Sequence, residues 1–400
     1  MYQYHIIVMK GGFQLDNKIK INYESYYFSV VPFIEAAREL GCWVVIIVGA
    51  RKRGKTYSML EYAYLNDEQI VFLKRQVGDI KLLCLNSKNK HKKLKRDSED
   101  LEEDIEEFDE EDDFSPYADL NEDHGWNVQP KMLDSEQGIA TFYDRDSNWK
   151  AKKKCGIALA VNSIAKYKGF GGLRKCKYLV FDEFIPAPWE RRTTKLEGEA
   201  VIDLYQTISR DREEKGLDPL LMVCLANAND LSNEMFNTLE ITDDVVDMIN
   251  QGDDIRLIGR KLVVLVDDSK LAIKKDEQKT LIYDDMKNTV WGHVTFDNEF
   301  ARNDISCVGT TSLKHMICRC SVIYKNECWY IYQKDDKYYV CSSRSNKCPI
   351  EYDLNFESTR KPFYLKECTA LINAYHKGNI LFSKFRMYDV IIHFKKFFQI

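Results

Sequence analysis

The run Gly49-Ala50-Arg51-Lys52-Arg53-Gly54-Lys55-Thr56 directly follows the apolar stretch Trp43-Val-Val-Ile-Ile-Val48. A glycine at each end, then a lysine and a hydroxyl, are the residue types a phosphate cradle needs. Without Cβ atoms at those points the backbone can curl so that its N–H groups converge on phosphate oxygens. The helix that follows adds the positive end of its dipole. Lys55 is spaced to reach the β- and γ-phosphates and the Thr56 hydroxyl to hold Mg²⁺, with Tyr57 extending the contact by one residue. The setting agrees: a buried-strand pattern precedes the loop and a helical pattern follows it from about Lys55 to Leu65.

A second stretch, Lys177-Tyr-Leu-Val-Phe-Asp182-Glu183, reads as a hydrophobic strand delivering two adjacent carboxylates at its C-terminal end. Open α/β sheets place their ligands at that edge. Asp182 is expected to hold Mg²⁺ through its water shell. Glu183, pointing the other way, can polarise the water that attacks a γ-phosphate. The adjacent Asp–Glu form points to motor-type NTPases rather than kinases or switch GTPases. Asn227 closes the apolar run Leu220–Leu225 and either holds the attacking water, senses the γ-phosphate or caps the strand. In Thr207-Ile-Ser-Arg210-Asp-Arg212-Glu, an arginine could leave its own subunit and neutralise charge on a neighbour's transferring phosphoryl group. It could equally close a solvated helix end with local ion pairs, and spacing alone does not separate the two.

Several elements must position these groups. Residues 25–40 read as a lead-in and short helix stopped by Gly41, and Gln69–Leu73 as a buried strand ending in Lys74-Arg75. Further strands are expected at Gly156–Val161, Tyr178–Phe181 and Leu220–Leu225, with a helix over Gly198–Glu214 between the last two. Strands alternating with helical patterns predict a mostly parallel sheet with helices on both faces. Residues 274–303 are polar and mixed, as in a small linking module. From Ser306 onward, aromatic and cysteine-rich runs predict a β-meander, followed by helices over Leu365–His376 and Lys384–Phe398.

Four hundred residues with 44% hydrophobic content support two or three domains with real cores. The longest apolar stretches fall far short of the ~18–20 residues that span a bilayer. Met1-Tyr-Gln-Tyr-His-Ile is no signal peptide, so neither membrane insertion nor secretion is expected. The 12 cysteines contain no C-x-x-C pair and read as reduced thiols of a cytosolic protein. Cys318-x-Cys320 could contribute to a zinc site, but its spacing does not match the common zinc modules. The net charge of −5 hides two opposed blocks: residues 88–96 carry six bases and no acid, and 97–113 carry thirteen acids and no base. Such a block cannot bury enough apolar surface to fold, and 88–113 reads as a solvated, disordered insertion. The segment 306–400 holds fifteen bases and eight acids, a local excess of positive charge suited to a polyanion.

The order and wording of these motifs resemble the DNA-packaging (encapsidation) ATPases of small, short-tailed podophages, relatives of the large terminase subunits. The matching pieces are Val48-Gly-Ala-Arg…Gly54-Lys-Thr-Tyr-Ser-Met, Leu179-Val-Phe-Asp-Glu-Phe-Ile, Arg210-Asp-Arg-Glu and Cys224-Leu-Ala-Asn-Ala. Gly292-His-Val-Thr-Phe-Asp-Asn-Glu-Phe and Asn373-Ala-Tyr-His-Lys-Gly-Asn-Ile-Leu-Phe continue the series, collinear from about residue 40 to the end. The resemblance implies an additional-strand, catalytic-glutamate P-loop ATPase domain over 1–272, a small helical linker module over 273–305 and a DNA- and portal-contacting α+β domain over 306–400. That last domain is expected to be a degenerate ribonuclease-H-like fold. The implied activity is ATP-driven translocation of double-stranded viral DNA into a prohead, with ATP and Mg²⁺ as cofactors. The implied setting is a homomeric ring, most often a pentamer, docked transiently on a portal in the host cytoplasm, with a structural packaging RNA as an optional partner. Arg210 takes the position of the family's trans-acting finger, and a lysine near Lys166 or Lys168 is expected to act near the site. The 88–113 block and the long N-terminal lead depart from the pattern.

A second enzyme reading is a full terminase large subunit, both motor and nuclease. A nuclease needs three or four carboxylates gathered on a sheet to bind two metals. Residues 306–400 offer Glu327, Asp335, Asp336, Glu351, Asp353, Glu357, Glu367 and Asp389, mostly in turn-like or charged contexts. A third reading is a nucleotide-binding adaptor whose hydrolysis only switches partners, without translocation.

Overall fold

The computed structural model describes residues 8–9, 12–13, 19–25, 27–85, 114–167, 171–187, 190, 196–212, 214–270, 281–293, 298, 300, 303–345 and 347–398. The charged block 88–113 lies outside them, as does Lys168. Two compact units emerge, Met1–Leu239 with Gln251–Arg302, and Glu240–Asn250 with Asn303–Ile400. Composition instead divides the chain after 272 and 305. Residues 273–302 group with the first unit, and the helical segment at 240–250, inside the expected ATPase domain, groups with the second.

The first unit is built on a nine-stranded sheet. Its strands are β1 (Val44–Val48), β2 (Gln69–Lys74), β3 (Val128–Asp134), β4 (Ile139–Arg145), β5 (Ala151–Ala160), β6 (Cys176–Asp182), β7 (Leu221–Ala226), β8 (Ile255–Ile258) and β9 (Lys261–Leu265). The order is β8-β9-β1-β7-β6-β2-β5-β4-β3. From β9 to β5 all neighbours are parallel, and β8, β4 and β3 add antiparallel flanks. β1 consists only of valine and isoleucine, all fully buried, as a strand covered on both faces requires. β7 lies between β1 and the carboxylate strand β6, the additional-strand order expected of the fold.

Helices α1 (Val31–Glu39) and α2 (Lys55–Leu65) stand where the periodicity predicts them, and α3 (Val77–Leu83), which the sequence reading did not assign, follows β2. A short α4 (Ala118–His124) and the β3–β4 hairpin went unread in the sequence. Pro130 sits inside β3 and breaks its strand signal; it is tolerated because β3 is the sheet edge. Gly156 lets β5 approach β2, since a Cβ there would come within 2.6 Å of the Ile70 carbonyl. α5 spans Glu197–Ser209 rather than reaching Glu214, because Arg210 adopts ψ 132° and Asp211 turns to φ 61°. α6 (Glu234–Leu239) packs on its first turn, where a Cβ on Gly198 would run into Thr238 and the Glu234 carbonyl.

In the second unit, β10 (Ile317–Tyr324), β11 (Glu327–Lys334) and β12 (Lys337–Cys341) form the predicted antiparallel meander around the buried Trp329 and Ile331. β13 (Glu351–Asp353) adds parallel to β10 and β14 (Ile380–Phe382) parallel to β12. Helical turns run from Glu357 to His376, and further helices cover Phe385–Ile392 and Phe394–Phe398. The segment at 240–250, carrying α7 (Thr242–Gln251), is tied here by charge. The Asp243 carboxylate accepts from the Arg386 backbone N–H at 3.0 Å, and Glu240 pairs with Lys325 and Arg386 at 3.7 and 3.6 Å. Among the described residues no helix is long and apolar enough to cross a membrane.

Candidate nucleotide site

At the carboxyl end of β1 the chain bends through residues 49–54, with Lys52 and Gly54 at positive φ (58° and 78°), and enters α2. The lead-in fastens this loop from outside. The Phe28 N–H donates to the Arg53 carbonyl at 2.8 Å, and the Val30 N–H to the Ser58 hydroxyl at 3.1 Å. On the other side the Gly49 N–H donates to the Ala226 carbonyl at 3.0 Å. Arg51 and Lys52 stand exposed, while the Arg53 side chain turns inward to pair with Asp268 at 2.8 Å. Of the predicted phosphate-contacting residues, Arg53 can therefore contribute its backbone but not its guanidinium. Burial pushes the Asp268 carboxyl up to about 6, although Arg53 and Lys55 pull it down.

The buried Lys55 ammonium donates to the Gly49 and Ala50 carbonyls, both at 2.6 Å, and to Asn227 Oδ1 at 3.3 Å. Burial lowers its pKa to about 8, against the pull of Asp182 and Asp268. The Thr56 hydroxyl donates to Asp182 Oδ1 at 2.9 Å, joining two motifs 126 positions apart. The Tyr57 hydroxyl donates to Asp123 on α4 at 2.8 Å, and both residues border the same cleft as Lys55 and Thr56. Loop, strand ends and α4 enclose a cleft of about 1200 Å³ that includes Tyr27, Lys55, Thr56, Asp182, Glu183 and Asn227 in its lining.

Lys74, the last residue of β2, and Arg75 just after it complete the centre. Lys74 Nζ lies 2.9 Å from Asp182 Oδ2 and 3.4 Å from Glu183 Oε2. Burial pulls its pKa down, but the two carboxylates more than offset this and hold the ammonium above its usual range. Arg75, nearly buried, donates to the backbone carbonyls of Glu183 and Phe184. Glu183 sits at φ 56° with its side chain 59% exposed. Neither role was assigned from sequence, although two consecutive bases closing a buried strand were the available signal. Asn298 was missed as well: it accepts from the Ala228 N–H at 2.9 Å and donates to the Val266 carbonyl at 3.0 Å, bracing the turn after Asn227. Lys166 is exposed on the 161–167 turn.

Arg210 is not brought to this centre. It ends α5 with its side chain 80% exposed, beside Asp211 at 3.8 Å. Arg212, 4% exposed, donates to the carbonyls of Arg174, Cys176 and Asp218 at 2.7–2.9 Å. These contacts hold the turn after α5 at the beginning of β6, whereas Asp182 is at its end. A seven-residue strand separates the two by about 20 Å.

The oxygens that meet at Thr56 and Asp182 form a hard donor set suited to Mg²⁺, and Lys74 shows that a cation is accepted there. Lys55 and the first-turn N–H groups of α2 suit a polyphosphate. In the second unit the acids have scattered partners: Glu327 pairs with Lys384, Glu367 with Arg319 and Asp389 with His393. Among the described residues no three His, Cys, Asp or Glu side chains gather closely enough to hold a metal ion. Among the described residues no cysteine forms a disulfide.

No protein-family model matches the chain, and no curated protein matches it. Solved structures do match, two of them over almost the whole chain. The Phi-28 gp11 DNA packaging motor is 16% identical, with a TM-score of 0.55 over 94% of this chain and 99% of its own. The bacteriophage Phi-29 viral genome packaging motor assembly is 15% identical, with a TM-score of 0.59 over 93% of this chain and 99% of its own. The chain therefore shares the fold of these phage packaging-motor proteins over almost its whole length.

Proposed function

We propose that the chain is the ATPase subunit of a phage genome-packaging motor, translocating double-stranded DNA into a prohead as a homomeric ring, a pentamer by resemblance, docked on the portal. The observation that carries this reading is the Thr56–Asp182 contact, which gathers Lys55, Asp182 and Glu183 on one cleft within a packaging-motor fold. ATP and Mg²⁺ are the proposed cofactors; the metal would screen negative charge on the phosphate oxygens. Lys55 would exchange its two loop carbonyls for phosphate oxygens. Lys74 would yield part of its hold on Asp182, leaving Glu183 free to orient and deprotonate a water. Asn227, already on Lys55, is placed to report which phosphates are bound.

The distance of Arg210 from its own Asp182 supports its assignment as the finger that completes a neighbour's site, and the carbonyl-bound Arg212 is excluded from that part. The positive excess of 306–400 supports a grip on phosphate backbones that accepts any sequence. A ribonuclease-H-like second unit, a docked structural RNA and a transient cytoplasmic life belong to the same reading. The test is ATP hydrolysis with and without double-stranded DNA, followed by nuclease protection of DNA added with portal-bearing proheads. Stimulated hydrolysis and protected DNA are expected. Hydrolysis indifferent to DNA would favour a switching adaptor.

A further inference from the structure

We propose that Arg75 is the positioning residue for Glu183, holding the backbone that aims the water-activating carboxylate; this rests on the reading of Glu183 just given. The last residue of β2 and the one that follows it divide the labour. Lys74 meets the Asp182 and Glu183 side chains, while Arg75, pointing the other way, meets the main chain behind them. One nitrogen, Nη2, donates to the Glu183 carbonyl at 2.7 Å and the Phe184 carbonyl at 2.9 Å. Nη1 meets Glu190 at 3.0 Å, Nε forms an ion pair with Glu197 at 2.9 Å, and the guanidinium lies 5.8 Å from the Phe181 ring centroid.

This arrangement opposes a local strain. A glutamate at φ 56° occupies the left-handed backbone region, which is disfavoured for a residue with a Cβ. Two consecutive carbonyls converge on one cation only because the chain turns at Glu183, so their bonds to Arg75 stabilise the turn itself. Glu197, buried on the first turn of α5, fixes the guanidinium in turn. That turn packs closely against α6, where Gly198 lies against Thr238 and the Glu234 carbonyl. A lysine could keep the charge but not the fork that reaches two carbonyls and two carboxylates together.

The test is Arg75→Lys in the full-length chain, measured by steady-state hydrolysis and Mg-ATP binding. Turnover should fall roughly tenfold to a hundredfold, as for a misplaced catalytic group, with Mg-ATP affinity within about twofold of the parent. Glu197→Gln should give a smaller loss of the same kind. Adding Arg75→Lys to Glu183→Gln should cost nothing further, because the group being positioned is already gone. Unchanged turnover in Arg75→Lys overturns the proposal. So does a loss that adds in full to that of Glu183→Gln, or one accompanied by equally weakened Mg-ATP binding, which would mark a general structural role. If Glu183→Gln itself turns over normally, the parent reading has failed whatever Arg75 does.

Discussion

At the carboxyl ends of β1, β2, β6 and β7, Lys55, Lys74, Thr56 and Asp182 meet within 3.3 Å of one another's polar atoms, Asn227 or the loop carbonyls. At the opposite end of the same sheet, Arg212 is consumed by three backbone carbonyls while Arg210, two positions earlier, faces solvent. One edge is closed upon itself and the other presents a cation outward. The contrast shows that spacing on a helix end does not decide an arginine's role. Which side of the turn it leaves from does, and here the turn is set by Asp211 at φ 61°.

The largest effects should come from the closed edge. Lys55→Ala is expected to abolish nucleotide binding. Glu183→Gln should bind Mg-ATP normally while hydrolysis drops by about 10²–10⁴, the range for losing a general base. Equilibrium nucleotide binding beside phosphate release checks both, and normal turnover in Glu183→Gln would remove the residue from the mechanism.

The next pair separates the two arginines. Arg210→Ala should leave nucleotide binding by isolated subunits intact but lower turnover in the assembled ring by about 10³–10⁵. Arg212→Ala should instead destabilise the first unit by about 3 kcal/mol, because three carbonyls lose their donor. Thermal midpoints of both variants test this. Equal midpoints would mean that the contacts of Arg212 contribute little.

Much of the closed edge was legible in the sequence because its signals are local. A β-branched run, a glycine-bounded loop and a helix start sit in a row at 43–65, and Asp182-Glu183 ends an apolar strand. What was not legible depends on neighbours far along the chain. Lys74 and Arg75 acquire meaning only because β2 pairs with β6, 108 or 109 positions away. The fate of Arg53 depends on Asp268, 215 positions on. The β3–β4 hairpin was hidden by Pro130, and the membership of 240–250 in the second unit by ion pairs to Lys325 and Arg386 that no periodicity announces.

A smaller effect sharpens the account of the loop. Asp268 has its pKa raised from 3.8 to about 6, so between those values the folded chain binds more protons than the unfolded one. Its contribution must then fall as pH rises from about 4 to about 6, by at most about 3 kcal/mol. The thermal midpoint of the parent relative to Asp268→Asn should decline across that window and level off above it. A difference that stays flat, or grows with pH, would mean that Arg53 holds the carboxylate ionised throughout.

The claim that one edge of each subunit completes the other edge of its neighbour is tested most directly by mixing. Arg210→Ala subunits keep Glu183 and lack the finger; Glu183→Gln subunits keep the finger and lack the base. Each alone should be inactive as a ring. In mixed rings some interfaces pair an intact Glu183 with an intact Arg210, and DNA-stimulated hydrolysis should return in part, peaking at intermediate ratios. With assembly verified, no recovery at any ratio would contradict the account and return Arg210 to its own subunit.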